Sequence, residues 1–348
     1  MEISVQNIES YISEGLMSLG LGREDALLAT RAMVQSTQWG VDTHGIRLFP
    51  TYVKELVGGR VRSSQRFKVD RLSSSLSRLD AQQSLGFLAG FKAAELAREL
   101  ALDSGCGVVC VTNSNHFGAA QLYGRWLAEH DFLGIVMTNA APRVVPFGGL
   151  DQLFGTNPIC FTAPSTKQPF CLDMATSQIS YSKVKGMFRN GEQPPKEWAI
   201  DAQGEACQSI EALKGLLPLG GYKGQGLAMM VEIMCSVLTG STLGLKMSHL
   251  DREPFDKKRD VSHFVLALDP GRFMPIEEFK QNLTAYMDSV RNSSPQSGKE
   301  ILVAGDKELA TEKKRIQALP LSQGELEDFL SVEHHFDPAR TINELVRS

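Results

Sequence analysis

From Leu76 onward, short apolar and β-branched runs alternate with stretches of helical periodicity. Five runs are typical of buried strands, at residues 107–112 (GVVCVT), 134–138 (GIVMT), 158–162, 170–173 and 263–268 (HFVLAL). Helical patterns lie between them, at residues 119–129, 179–188 and 226–238. Because helices that alternate with strands pack on the faces of a sheet, the pattern predicts an α/β fold with a mostly buried sheet.

Both ends of the chain are predicted to be helical. Val5, Ile8, Ile12, Leu16 and Leu19 recur at steps of three and four residues, which is typical of an amphipathic helix. Further helices are expected at residues 24–39, 276–291, 307–317 and 323–332, and the polar segment 58–75 is predicted to be a linker. Since chain termini often lie close together, we expect a mainly helical domain of residues 1–75 plus 300–348 and an α/β domain of residues 76–299.

Charge and cysteine content narrow the functional classes. The 348 residues carry a net charge of −4, whereas binding to nucleic acid or to an anionic membrane surface needs a basic face. The N-terminal residues do not resemble a signal peptide, and no apolar run approaches the ~18 residues of a membrane span. The six cysteines lie mostly in apolar runs without a CxxC pair, which indicates core thiols in a reducing compartment. We therefore expect a cytoplasmic protein with no metal, nucleic-acid or membrane partner.

Two histidines stand in loop-like contexts that favour chemistry. His116 follows the predicted strand GVVCVT within Asn-His-Phe-Gly, and His44 lies in Asp-Thr-His-Gly. In open α/β sheets, ligands bind outside the carboxyl ends of strands, and a histidine there can exchange a proton near neutral pH. The competing interpretation is that each histidine satisfies a local turn; on the residues alone the two interpretations are about equally supported.

Three loops could bind anions or hydroxyl groups. Lys223 lies among four glycines at the start of a predicted helix, a pattern that suits a pyrophosphate but also a simple helix-entry turn. Asp173 and the hydroxyl residues after it could bind a ribose, although their spacing favours a helix cap. Arg143, in a proline-rich loop, could hold a carboxylate, although the pattern favours a surface arginine.

The chain lacks GxGxxG, GxxxxGK[ST], HExxH and GxSxG, so the common dinucleotide, P-loop, zinc-protease and hydrolase motifs are absent. Five other motifs occur in order: Asp-Thr-His-Gly near residue 44, Asn-His-Phe-Gly at 115–118, Pro-Phe-Gly-Gly…Phe-Gly-Thr-Asn-Pro at 146–158, Asp-Met-Ala-Thr-Ser at 173–177 and Leu-Pro-Leu-Gly-Gly-Tyr-Lys-Gly at 217–224. With these motifs the sequence resembles the type 2 malate/L-lactate dehydrogenase family, from about residue 3 to residue 335.

The resemblance implies a nicotinamide-dependent oxidoreductase whose fold is unrelated to the Rossmann dehydrogenases. We expect NAD or NADP as the cofactor and favour NAD. It implies a homodimer with a helical part made of both termini and an α/β part that binds cofactor and substrate. His116 or His44 is then the acid/base group. The residues that match the family's cofactor contacts are Leu172, Asp173, Met174, Ala175, Thr176, Ser177, Lys223, Gly224, Gly305, Asp306 and Lys307, with Ala140 where relatives can have serine.

The substrate contacts depart from the family pattern. Many relatives have arginine four residues after the first histidine, whereas Arg47 comes one position earlier, about 100° further round a helix. We therefore expect Thr43 and Arg47, or Arg143 instead of Arg47, to hold the carboxylate of a small substrate.

Lys183 occupies the position at which cyclic-imine reductases of the family have aspartate. A lysine suits a hydroxyl or carbonyl oxygen, so the sequence predicts interconversion of a 2-hydroxy acid and its 2-oxo acid, with Lys183 among the catalytic candidates. The alternatives are a cyclic imino-acid (piperideine- or pyrroline-2-carboxylate) reductase and a non-catalytic nucleotide-binding protein.

Overall fold

The computed structural model describes residues 1–336 and 338–346. Its helices are α1 (Val5–Ser18), α2 (Arg23–Gln38), α3 (Phe49–Val57), α4 (Gly86–Ser104), α5 (Gln121–Glu129), α6 (Tyr181–Arg189), α7 (Tyr222–Glu232), α8 (Ile276–Arg291), α9 (Asp306–Lys314), α10 (Gln323–Leu330) and α11 (Ile342–Val346). A π-helical turn, Ile233–Val237, continues α7. No helix in this described part of the chain is long and apolar enough to cross a membrane.

The central sheet has seven strands in the order β2-β3-β4-β10-β5-β6-β7. The strands of the molecule are β1 (Glu2–Ser4), β2 (Lys68–Arg71), β3 (Leu76–Asp80), β4 (Cys106–Ser114), β5 (Leu133–Thr138), β6 (Ile159–Ala163), β7 (Phe170–Met174), β8 (Ala199–Ile200), β9 (Gly215–Leu216), β10 (Val261–Leu268) and β11 (Ala318–Pro320). Only β3 and β4 pair in parallel among these seven. The sheet is therefore mixed, which confirms the predicted α/β class without a Rossmann topology.

The central strands are apolar along their whole length because both faces of the sheet are covered. On β4, Val109 and Val111 join the large core with α4 and α5, while Val108 and Cys110 pack with Val231 of α7 on the other face. Alternate residues of a strand point to opposite faces. The buried sheet predicted from these runs is therefore confirmed.

Both termini pack together, as expected. Strand β1 pairs with β11 in antiparallel register, and Tyr11 of α1 contacts the rings of Phe329 and Phe336. One core contains residues from these helices and from the sheet. The division into residues 1–75 plus 300–348 and residues 76–299 stays a prediction.

The segment 58–75 is not only a linker, because it contains the edge strand β2. All four residues of β2 are exposed, so the strand has no apolar alternation for a sequence pattern to detect. The six cysteines, all within the described residues, are free thiols.

The topology gathers several strand ends at one edge of the sheet. Strands β4, β5 and β7 run in the same direction, since each is separated from the next by one antiparallel strand, β10 or β6. Their carboxyl ends carry His116, Ala140 and Asp173 respectively. Ligands of α/β proteins bind at such an edge.

Candidate active site

His44 and His116 lie together, although 71 positions of sequence separate them. Their rings stack with centroids 5.4 Å apart and an interplanar angle of 16°. His116 follows β4, and His44 closes a 3-10 turn, Asp42–His44, directly after α2. Both residues are half-buried. The structure thus brings the two predicted acid/base candidates to one solvent-accessible point.

Each imidazole is held through its Nδ1 atom. The hydroxyl of Tyr52, from α3, lies 2.7 Å from Nδ1 of His116, and the hydroxyl of Thr43 lies 2.8 Å from Nδ1 of His44. The backbone N–H of Gly118 also points to Nδ1 of His116, at 3.4 Å. In the tautomer whose Nδ1–H donates to the Tyr52 hydroxyl, the lone pair is on Nε2, the nitrogen left for a substrate.

The surroundings of both rings favour the neutral form. Burial and, to a smaller extent, the nearby Arg47 guanidinium lower the pKa of His44 to about 4. Burial also holds the pKa of His116 well below its ordinary value, with smaller contributions from His44 and Arg259. A neutral imidazole can accept a proton at neutral pH, as a general base must.

A buried arginine that sequence reasoning missed influences this site electrostatically. Arg259 is 5% exposed, and its Nη1 has no hydrogen-bond partner within the described residues. The charge of Arg259 influences the pKa of both His116 and Tyr52. A guanidinium N–H without a partner can donate to a carboxylate.

The loop that carries Arg259 is fixed by a second buried arginine. Arg60 donates to the carbonyls of Leu250, Arg252 and Pro254 at 3.1, 2.7 and 2.9 Å. Its Nη1 also forms a fully buried ion pair with Glu55, at 3.2 Å. The loop is therefore tied to α3, the helix that carries Tyr52.

The other residues predicted to act on the substrate, Arg47, Arg143 and Lys183, have different surroundings. Arg47 is half-buried beside His44. The guanidinium of Arg143 lies 4.1 Å from the centroid of the Tyr181 ring and 3.5 Å from the carboxylate of Asp251, at the loop of Arg259. Lys183 is exposed, with Nζ 5.8 Å from the Trp198 ring centroid. Within the described residues, Lys183 is not in contact with either histidine.

Strand β7 and the residues after it contact the other two segments that the resemblance assigned to the cofactor. Leu219 N–H donates to the carbonyl of Thr176 at 2.9 Å, and Cys171 N–H donates to the carbonyl of Ala304 at 3.2 Å. The loop before Lys223 thus lies at the carboxyl end of β7, and the loop before Gly305 lies beside its first residues.

Asp173 is a cap, but for a different helix from the one its spacing suggests. Its carboxylate accepts from the backbone N–H of Gln121, the first residue of α5, at 3.0 Å, whereas Ser180 caps α6. The pKa of Asp173 is raised to about 6, chiefly by burial. The Gln121 N–H acts to lower this pKa, and the Glu308 carboxylate acts to raise it. The end of β7 is thereby tied to the helix that follows His116.

The remaining candidates differ in exposure. Ala140 is held by its N–H, which donates to Oδ1 of Asn157 at 3.1 Å. Thr176, Ser177, Gly224 and Gly305 are buried; Met174, Ala175 and Asp306 are half-buried; Leu172, Lys223 and Lys307 are exposed.

The residues at this edge fit a dinucleotide. Helix α7 begins beside the carboxyl end of β7, after Gly221 (φ 68°), whereas α9 begins beside the first residues of β7, after Gly305 (φ 103°). Helix N-termini favour phosphate. A Cβ atom on Gly305 would lie 3.5 Å from Nη2 of Arg125. That Nη2 is buried and without a partner within the described residues.

The family model for malate/L-lactate dehydrogenase matches residues 3–329. Malate dehydrogenase of Pyrococcus abyssi is 34% identical over 328 residues, which cover 91% of this chain and 90% of that protein. The structure of sulfolactate dehydrogenase from Methanocaldococcus jannaschii superposes with a TM-score of 0.91 at 30% identity, covering 97% of this chain and 98% of that one.

Relatives differ in the cofactor that their names specify. (2R)-3-sulfolactate dehydrogenase (NADP(+)) of Chromohalobacter salexigens is 32% identical, with 78% of this chain and 82% of that protein covered. Ureidoglycolate dehydrogenase (NAD(+)) of Escherichia coli K12 is 29% identical, with coverages of 86% and 85%.

Proposed function

Because the chain belongs to the malate/L-lactate dehydrogenase family, we propose that it interconverts a small 2-hydroxy acid and its 2-oxo acid with NAD or NADP. It is an oxidoreductase, and its relatives are named dehydrogenases of hydroxy acids. The observation that carries the proposal is the pair of stacked, partly accessible histidines at the carboxyl end of β4, with Tyr52 bonded to His116.

His116 is the acid/base group in this mechanism. In the oxidative direction, Nε2 of His116 accepts the hydroxyl proton of the substrate while the C2–H bond breaks as a hydride. The nicotinamide cofactor, when bound, supplies the hydride acceptor, and in its reduced form the hydride donor. Tyr52 fixes the ring orientation through Nδ1, and His44 stacks against the ring.

Arg259 is the proposed anchor for the substrate carboxylate, ahead of Arg47 and Arg143. Its unpartnered Nη1 and its electrostatic influence on His116 support this role. Burial is the main reason that the pKa of His249 is lowered; Arg143, Arg252 and Arg259 lower it further, while Asp251 opposes them. This excess of positive charge favours a substrate with a second anionic group, as in the malate and sulfolactate of the relatives' names.

We favour NAD over NADP. A carboxylate such as Asp173, at the end of a strand near the proposed cofactor site, suits a ribose hydroxyl and repels a 2′-phosphate. Lys223 and Lys307, each at the first turn of its helix, are placed to attract the pyrophosphate.

An exposed apolar face supports the proposed homodimer. Met229, Met230, Ile233, Val237 and Leu238 are between 37% and 60% exposed and recur along one side of α7 and the π-helical turn. A contiguous exposed apolar face of this kind marks an interface. The free thiols suit a reducing compartment, in keeping with our proposal of a cytoplasmic enzyme.

The test is a substrate panel with purified protein. We expect NADH-dependent reduction of oxaloacetate or sulfopyruvate with kcat/KM at least about tenfold above that for pyruvate. We expect all of these values to exceed the value for Δ1-piperideine-2-carboxylate. NADPH is run in parallel to test the cofactor preference.

Two outcomes would support the alternatives. Preference for the cyclic imine would identify an imine reductase, and NADH binding without turnover of any acid or imine would identify a non-catalytic binder. The variant Lys183→Asp tests the role of the lysine: an unchanged preference means that Lys183 does not select the substrate.

A further inference from the structure

A fully buried histidine, His263, links three strands of the sheet near the strand ends that lead to the proposed active site. It lies on β10, between β4 and β5, and is 0% exposed. One ring nitrogen, Nε2, lies 2.8 Å from the hydroxyl of Ser114 on β4. The other, Nδ1, lies 2.8 Å from the hydroxyl of Thr138 on β5.

Both partners of His263 stand two residues before a residue of the site. Ser114 precedes His116, and Thr138 precedes Ala140. The imidazole also stacks on the ring of Phe117, with centroids 4.4 Å apart at 13°. His263 therefore contacts the end of the strand that carries the acid/base group and the end of the strand that leads to the expected cofactor contact.

The backbone is irregular at this point. The register between β10 and β4 shifts between Val261 and His263, with one extra residue on β4. Asn113, within the shifted stretch, has a φ of 55°. Bulges beside active sites redirect side chains. Here the bulge lies next to Ser114, which meets Nε2 of His263.

An apolar side chain would fill this core position without any polar group to satisfy. A buried imidazole is tolerated because both nitrogens are bonded, one as donor and one as acceptor. Such satisfied polar networks fix one geometry more strictly than apolar packing does. Burial lowers the pKa of His263 to about 3, so the ring is neutral at the pH at which the enzyme works.

We propose that His263 is a positioning residue for the dehydrogenase reaction. It fixes the position of His116 through Ser114 and the position of residue 140 through Thr138. The inference rests on the proposed function. It predicts that the contacts of His263 with Thr138 and with Ser114 can be removed one at a time. Asparagine at this position places its amide near the site of Nδ1, and glutamine places its amide near the site of Nε2.

His263→Asn keeps the contact with Thr138 and loses that with Ser114. We expect kcat for the 2-oxo acid to fall about ten- to hundredfold, because a small displacement of His116 slows proton transfer. The KM for NADH should stay within about twofold. With NADH deuterated at the transferred position, the isotope effect on kcat should rise above that of the wild type.

His263→Gln keeps the contact with Ser114 and loses that with Thr138. We expect the reverse pattern, a KM for NADH raised about five- to tenfold and kcat within about threefold. Ser114→Ala and Thr138→Val should repeat the respective patterns with the imidazole intact, so the test does not depend on one variant folding.

Ser262→Ala is the matched control, since this buried neighbour on β10 has an Oγ with no partner within the described residues. Kinetics of the Asn and Gln variants equal to this control would overturn the proposal. The proposal would also be overturned if both variants lost activity equally, in proportion to a fall in unfolding temperature, while the isotope effect on kcat stayed unchanged. A wild type inactive with every 2-oxo acid would instead refute the proposed function, and the inference with it.

Discussion

At the residue scale, burial decides the protonation of the two site histidines. The pKa of His116 lies well below its ordinary value, and that of His44 is about 4, in both cases chiefly because burial penalises the charged ring. The neutral form dominates at neutral pH, so His116 is ready as a base and must gain a proton before it can act as an acid.

The two directions of the reaction should therefore differ in pH dependence. We expect kcat/KM for oxidation of the hydroxy acid to stay constant from pH 8 down to below 6.5. We expect kcat/KM for reduction to rise as the pH falls across the same range, because reduction uses the protonated ring. Initial rates in both directions test this. An acid limb for oxidation centred at pH 6.5 or above contradicts the low pKa of His116.

Arg259 gives a second prediction at this scale. Arg259→Gln removes the guanidinium proposed to hold the carboxylate, so KM for the 2-oxo acid should rise about ten- to hundredfold while the Kd for NADH changes little. Steady-state kinetics and fluorescence titration measure the two quantities. Arg47→Gln and Arg143→Gln are the parallel variants, and a larger rise in either assigns the carboxylate to that arginine.

Some residues of the proposed site have a signal in the sequence and others do not, for a physical reason. His44 and His116 stand in short motifs with glycine after the histidine or close to it. Tyr52 and Arg259 have no local signal, because one lies on an amphipathic helix and the other in a loop 207 positions away. Only the fold brings Arg259 to the side of Tyr52, through the bonds of Arg60 to the loop.

At the scale of elements, the strands were predictable and their order was not. Apolar runs identified β4, β5, β6, β7 and β10, but β10 inserts between β4 and β5 from more than 120 positions away. The start of α7 was placed too late, at residue 226, because Gly224 and Gly226 weaken the helical pattern. The helix instead begins at Tyr222, which places Lys223 in its first turn.

That position gives a prediction for Lys223. Lys223→Ala should weaken NADH binding about ten- to hundredfold, since a lysine at a helix N-terminus attracts phosphate. Binding should also weaken with added salt. Lys68→Ala, exposed on the far edge strand β2, is the control. An unchanged Kd in Lys223→Ala would mean that the loop is only a helix-entry turn.

At the scale of the whole molecule, the apolar face of α7 should hold two copies together. We expect the wild type to sediment as a dimer. The double variant Ile233→Glu/Val237→Glu should sediment as a monomer, because a twofold interface brings each new carboxylate into the contact twice. Leu102→Glu, at a position 47% exposed on α4, should stay dimeric. A monomeric wild type, or a dimer unaffected by the double variant, contradicts this interface.

The central claim is that the stacked histidines form the catalytic centre, with His116 as the proton-transfer group. The most direct measurement is the single-turnover rate of NADH oxidation by the preferred 2-oxo acid in His116→Ala and His44→Ala. We expect His116→Ala to lose about a hundredfold or more in rate while its Kd for NADH stays near that of the wild type. A His116→Ala variant that turns over at nearly the wild-type rate would contradict the claim, and an inactive His44→Ala beside it would assign proton transfer to His44.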